Sequence, residues 1–200
     1  MIKNIIFDFG DIFINLDKQA PFREMAKFGF TQMTPELDNL SKNYEKGLME
    51  SPIFLKEMHA LFSNVSQEQI KAAWNSIILD FPEYRFAFIE ALKKDDTYRL
   101  FLLSNTNDLH IQKVNESMGK ERYLRFQNCF EKFYLSHEIK MRKPNADIYE
   151  FVLEENRLNP TETFFIDDTK ENTDSAAALG IRVWNLQVGE QDIIDLKNHL

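Results

Sequence analysis

Apolar residues run from Ile5 to Phe7 and stop at a carboxylate, Asp8. A short Ile/Phe run closed by Gly10 predicts a strand over residues 4–9 that is buried on both faces. Helical periodicity follows. Leu37, Leu40, Tyr44 and Leu48 recur at helical spacing over 35–49, and Phe54, Met58, Leu61 and Phe62 over 52–62, with Pro52 in the first turn. Residues 66–78 open with Ser66 and Gln69, a capping-box pair. Pro82 opens 82–94, where Phe86, Ile89 and Leu92 share one face. That gives four helices in a row.

Beyond these helices the period changes. Residues 98–104, 132–136, 163–168 and 181–186 read as strands. Residues 107–119 read as a helix ended by Gly119, 144–155 as a helix starting at Pro144, and 171–180 as a helix ended by Gly180. A terminal helix is expected after the last strand. Alternating strand and helix implies an α/β fold, a Rossmann-like parallel sheet with helices on both faces. The four helices interrupt that alternation. They predict an inserted helical module over 17–90, with 1–16 and 91–200 forming the α/β core.

Composition narrows the classes of function. The chain has 200 residues and a net charge of −8, which argues against nucleic acid and against an anionic membrane surface as partners. Eighteen phenylalanines predict an aromatic-rich core. Cys129 is the only cysteine, so an intrachain disulfide and a cysteine-rich zinc site are excluded, and a small buried hydrophobe is expected there. There is no run of about 18 apolar residues to span a membrane. Nor does the N-terminal stretch carry a signal peptide's apolar core and small-residue cleavage site, so the cytoplasm is the expected compartment.

Ligands of open parallel sheets bind beyond the C-terminal strand ends. There the chain places Asp8, then Ser104 and Asn105, then Lys143, then Asp167 and Asp168. Clustered carboxylates repel one another and call for a cation. Mg²⁺ suits one or two carboxylates together with a substrate phosphate. Lys143 supplies a point charge for a phosphate oxygen, Ser104 a hydroxyl donor, and Asp8 a nucleophile able to form an aspartyl phosphate. The histidines show no metal-ligand spacing. His110 reads as a helix-surface residue, and Arg23 and Lys46 as solvated.

FDFGDI, LLSNTN, RKPNADIY and FIDDTKENTDSA occur in this order, and the chain resembles the haloacid dehalogenase (HAD) superfamily of hydrolases along nearly its whole length. It is most similar to the subfamily with a helical cap after the first strand. NYEKGLM and residues 72–92 resemble the branch of bacterial sugar-phosphate (glucose-1-phosphate) phosphatases and the N-terminal domain of soluble epoxide hydrolase. The resemblance implies a Mg²⁺-dependent phosphatase acting on a small phosphorylated metabolite such as a sugar phosphate. Asp8 would be nucleophile and metal ligand. Asp168 would bind Mg²⁺ directly, Asp167 mainly through water, and Gly10 through its carbonyl. Ser104 and Asn105 would hold the phosphoryl group, Lys143 would offset its charge, and Asn172 would position the loop.

One position departs from the pattern. The superfamily's phosphatases usually carry a second Asp two residues after the nucleophile, as general acid and base. Here that position is Gly10. Such a group typically contributes ~10²–10⁴-fold in rate. Asp11 either caps the loop, as turn aspartates do, or swings in as a substitute acid. Two alternatives stand beside the phosphatase. A 2-haloacid dehalogenase also lacks the second Asp but needs no metal. A binding or regulatory protein would have kept the fold and lost the chemistry.

Overall fold

The computed structural model describes residues 1–200. Five strands form one all-parallel sheet: β1 (Asn4–Phe7), β2 (Arg99–Ser104), β3 (Lys132–Leu135), β4 (Thr163–Asp167) and β5 (Arg182–Asn185). Their order is β3-β2-β1-β4-β5, so β1 is central. Phe7 lies opposite Leu102 on one side and Ile166 on the other. Successive residues of β1 serve opposite faces. Ile5 and Phe7 join one buried cluster, and Ile6 joins the other with Phe101, Leu103 and Phe165. Both faces are therefore covered, as the uninterrupted apolar strand runs require.

The aromatic-rich core expected from composition lies on the first face. Phe126 packs with ring centroids 5.0–5.3 Å from Phe81, Phe9 and Phe13. Phe9 and Phe13 flank the turn after β1. The Phe13 N–H donates to the Phe9 carbonyl at 2.9 Å, and Ile12 and Ile14 are buried beside them. The turn that carries Gly10 and Asp11 is thus anchored by core side chains. Cys129 is buried and unpaired, and burial pushes its thiol up to about 11, as suits an inert small hydrophobe.

Five helices lie between β1 and β2: α1 (Ala20–Ala26), α2 (Pro35–Glu45), α3 (Ser51–Leu61), α4 (Gln67–Asn75) and α5 (Glu83–Asp95). The Ser66–Gln69 capping box forms in full at the start of α4. The sequence pattern did not anticipate α1. It has only seven residues, of which Ala20 and Met25 are buried, too short a stretch to set up a period. Three more helices follow β2: α6 (Asp108–Met118), α7 (Lys120–Gln127) and, after β3, the single turn α8 (Ser136–Ile139). The eight-residue α7, also unanticipated, buries only Tyr123 and Phe126. Then come α9 (Ala146–Asn156) and α10 (Lys170–Ala178). The expected terminal helix is a 3-10 helix, Ile193–Asn198, which buries Ile193 and Leu196 three residues apart.

Residues of α2, α3 and α4 share a cluster that includes Leu37, Tyr44, Phe54, Met58 and Ile70, to which α6 adds Leu109. By contrast, Phe86, Ile89 and Leu92 of α5 join the core cluster under β1. The expected module limit at residue 90 therefore falls inside a continuous helix. We propose a limit ahead of Phe81.

Several bonds fasten the helical module to the strand ends. Ser136 Oγ donates to the Glu45 carbonyl at 2.7 Å, and Arg142 Nε to Glu45 Oε2 at 2.6 Å. Gly47 closes the seam at φ +62°, where a Cβ would lie 1.9 Å from the His137 carbonyl oxygen. Gly47→Ala is expected to cost about 2 kcal/mol from left-handed strain and the opened seam. For a chain of this size that is a fall of about 4–8 °C in melting temperature. An unchanged melting curve would contradict the seam as described.

Candidate active site

Asp8 follows β1, Asp167 ends β4, and Lys143 enters from the loop before α9. All three are buried. Lys143 Nζ donates to Asp8 Oδ1 at 2.7 Å, to Asp167 Oδ2 at 2.6 Å and to the Leu103 carbonyl at 2.8 Å. An ammonium has three protons, and here each has an acceptor. Burial opposes the charge on Lys143, but Asp167 and Asp8 outweigh it and hold its pKa above the ordinary value. Asp8 also moves up, to about 7. Burial raises it, Lys143 opposes, and repulsion from Asp167 adds to the rise. Both partners rise because one ammonium serves two carboxylates.

Asp168 completes the group. Oxygens of Asp8, Asp167 and Asp168 lie within 4.8 Å of one another. Octahedral Mg²⁺ holds opposite oxygens about 4 Å apart, so this donor set fits a hard divalent cation. The Asp167 oxygens are the most fully engaged. Oδ1 accepts from the Thr169 N–H at 2.8 Å, and Asn172 Nδ2 lies 3.1 and 3.0 Å from the two oxygens. Burial raises Asp168, while Lys18, 2.5 Å away, opposes that rise.

The phosphate-side candidates divide. Ser104 is buried at the end of β2, and the only partner of its hydroxyl is the Asn105 carbonyl, at a long 3.5 Å. It is free to donate elsewhere. The Asn105 side chain is engaged with the backbone of Lys143. Its Nδ2 donates to the Lys143 carbonyl and its Oδ1 accepts from the Lys143 N–H, each at 2.9 Å. The side-chain amide of Asn105 thus holds the backbone that carries Lys143.

The turn at Gly10 has no room for an acid as it stands. A Cβ there would lie 2.7 Å from Leu16 Cδ1 and 3.9 Å from Asp8 Oδ2. Leu16 fills the space beside the nucleophile. Asp11 adopts φ +57°, and its Oδ1 accepts from the Leu16 N–H at 3.0 Å. Its Oδ2 pairs with Lys18 at 3.0 Å. A capping bond engages one oxygen and an ion pair the other.

Sequence reasoning missed Lys18 and Leu16. Neither belongs to a motif, and only the turn's folding brings them to Asp8 and Asp168. His110 differs from expectation as well. It stacks on Trp74, and burial pushes it down to about 4. Arg23 pairs with Asp17.

Comparisons with known proteins point to one hydrolase family. The haloacid dehalogenase-like hydrolase family matches residues 2–180. D-ribitol-5-phosphate phosphatase of Bacteroides thetaiotaomicron is 26% identical over 195 residues, 94% of each chain. A HAD family enzyme of the same organism has been solved in complex with magnesium and inorganic phosphate. It superposes with a TM-score of 0.85 at 36% identity, covering 96% of both chains. A predicted HAD-like family hydrolase from Porphyromonas gingivalis has a TM-score of 0.81 at 27% identity, covering 99% of this chain and 97% of that one.

Replacing Lys143 by Met removes the shared partner of two buried carboxylates. The expected loss is ~3–5 kcal/mol in urea unfolding at about pH 8. Asp8 has a folded pKa above its unfolded value, so it favours folding most at low pH and loses that contribution as pH rises through about 7. Without Lys143 its pKa rises further. The deficit of the variant should therefore shrink at about pH 5. A deficit that grows on acidification would contradict the ion cluster.

Proposed function

We propose that this chain, which belongs to the haloacid dehalogenase-like hydrolase family, is a Mg²⁺-dependent phosphatase of small phosphate monoesters working through an aspartyl phosphate on Asp8. One observation carries the reading. A buried ammonium fixes Asp8 Oδ1, while Oδ2 takes no hydrogen bond and lies on the Gly10 side of the turn. That oxygen is the nucleophile. Asp8, Asp168 and the Gly10 carbonyl would hold Mg²⁺, with Asp167 behind them. The ion supplies charge neutralisation for carboxylate and phosphate when bound.

The chain's own residues do the rest. Asp8 Oδ2 attacks phosphorus, a bond from phosphorus to Asp8 forms, and the bond to the leaving oxygen breaks. Lys143 holds the carboxylate in line and offsets charge as the phosphoryl group approaches. Ser104 donates to a phosphoryl oxygen. Water then attacks phosphorus, freeing phosphate and restoring the Asp8 carboxylate. The sugar-phosphate substrate expected from the sequence is of the kind named for the ribitol-5-phosphate relative.

Asp8→Asn is expected to lower turnover of an aryl phosphate on the order of 10³-fold or more. Excess chelator should abolish wild-type activity, and added Mg²⁺ should restore it. Full activity in chelator with chloride release from a 2-haloacid would instead establish dehalogenation. Asp11→Ala should cost less than ~10-fold in kcat/KM, below a general acid's contribution. A loss of ~10²-fold or more confined to alkyl phosphates would make Asp11 the proton donor.

A further inference from the structure

The last residue of α2 is a carboxylate, Glu45, at the end of the helix where the dipole favours cations. Its partner lies outside the helical module. Arg142 Nε donates to Glu45 Oε2 at 2.6 Å, a charge-assisted bond between two half-buried groups. Arg142 stands one residue before Lys143. Its guanidinium makes one further hydrogen bond, from Nη1 to the Lys143 carbonyl at 3.0 Å. The fork therefore bridges two points, a carboxylate of the helical module and the peptide of the lysine that holds Asp8.

Every polar group of Lys143 is committed. Its N–H donates to Asn105 Oδ1, and its carbonyl accepts from both Asn105 Nδ2 and Arg142 Nη1. Its ammonium meets Asp8, Asp167 and the Leu103 carbonyl. A displaced peptide thus displaces the contact with Asp8. Asn105 fixes that peptide from the end of β2, and Arg142 fixes it from the helical module. Glu45 reaches the neighbouring loop as well. The Ser136 hydroxyl that donates to the Glu45 carbonyl accepts from the Thr106 N–H at 2.9 Å, one residue beyond Asn105.

We propose that Glu45 is a positioning residue for phosphoryl transfer, setting the Lys143 peptide through Arg142, so that the helical module helps to align Asp8 for attack. The inference rests on the part played by Lys143 in the phosphatase reading. Fastening the two modules needs only the bond from Arg142 to Glu45. The second prong, on the Lys143 carbonyl, is what alignment requires. A misplacement on the order of 1 Å in an aligned site costs ~10²-fold in rate.

The test is steady-state kinetics of the Mg²⁺-loaded enzyme on phenyl phosphate, with a melting curve of each variant so that rates refer to folded protein. Glu45→Ala should lower kcat and kcat/KM together by ~10–10²-fold and leave KM within about 2-fold, the pattern of an interaction expressed in the transition state. Glu45→Gln keeps an acceptor for Arg142 Nε and should recover most of that loss. Arg142→Lys keeps a charge opposite Glu45 but replaces the fork by a single point, and should lower kcat ~10-fold. In an Arg142→Met background Glu45→Ala should add less than about 2-fold, because both act on one peptide. A role confined to fastening would lower the melting temperature or raise KM and leave the kcat of folded enzyme unchanged, which overturns the proposal. Losses that multiply in the double variant overturn it too. Should Glu45→Ala fail to fold, Arg142→Lys decides alone, and an unchanged kcat there overturns the proposal while the phosphatase reading stands. Absence of turnover by the wild-type enzyme with Mg²⁺ present overturns both.

Discussion

The Lys143 ammonium, buried between Asp8 and Asp167, constrains everything around it. A buried charge is tolerable only when its protons are met, and here β1, β2 and β4 each supply one acceptor. The three adjacent strands must therefore end at the same level, which the parallel register ensures. The loop that carries Lys143 must be fixed as well, and the two Asn105 bonds fix it. Asn172 does the same for Asp167. Polar residues that look like ligands in the sequence thus act partly as supports for a charge arrangement.

The same arrangement frees one oxygen. With Oδ1 held by Lys143, Asp8 presents Oδ2 to the side of the turn where Gly10 lies. A side chain there would stand beside the nucleophile, but Leu16 stands there instead. The turn is anchored by Phe9 and Phe13 in the aromatic core, so its shape follows from packing far from the chemistry. Core, turn and reactivity are linked in that order.

Much of this was legible in the sequence because buried strands and their polar ends leave strong signals. Ile5–Phe7, Leu100–Leu103 and Phe164–Ile166 are unbroken apolar runs, and each delivers a polar residue to one edge. Helices of nine residues or more were equally visible, α3 and α4 among them, because their apolar positions recur over several turns. The short α1 and α7, of seven and eight residues, were not, because so short a stretch defines no period. The expected limit at residue 90 lies inside α5 for a related reason. Amphipathicity shows that α5 buries a face but not which body it faces, and Phe86 and Ile89 face the sheet. In the site, charge type and strand position sufficed to expect Asp8, Lys143 and the Asp pair at one edge, where they converge. Lys18 and Leu16 were illegible, since only the fold of the turn brings them to the carboxylates.

The central claim is covalent attack by Asp8 on phosphorus, and it can be read directly on the chain. The Mg²⁺-loaded enzyme, quenched in acid while turning over phenyl phosphate, is digested and its peptides are weighed. With no general base at Gly10 to speed the second step, the phosphoryl group is predicted on the peptide carrying Asp8, lost in hydroxylamine and missing from Asp8→Asn. Sustained turnover with no phosphoryl group on that peptide at any quench time would contradict the account.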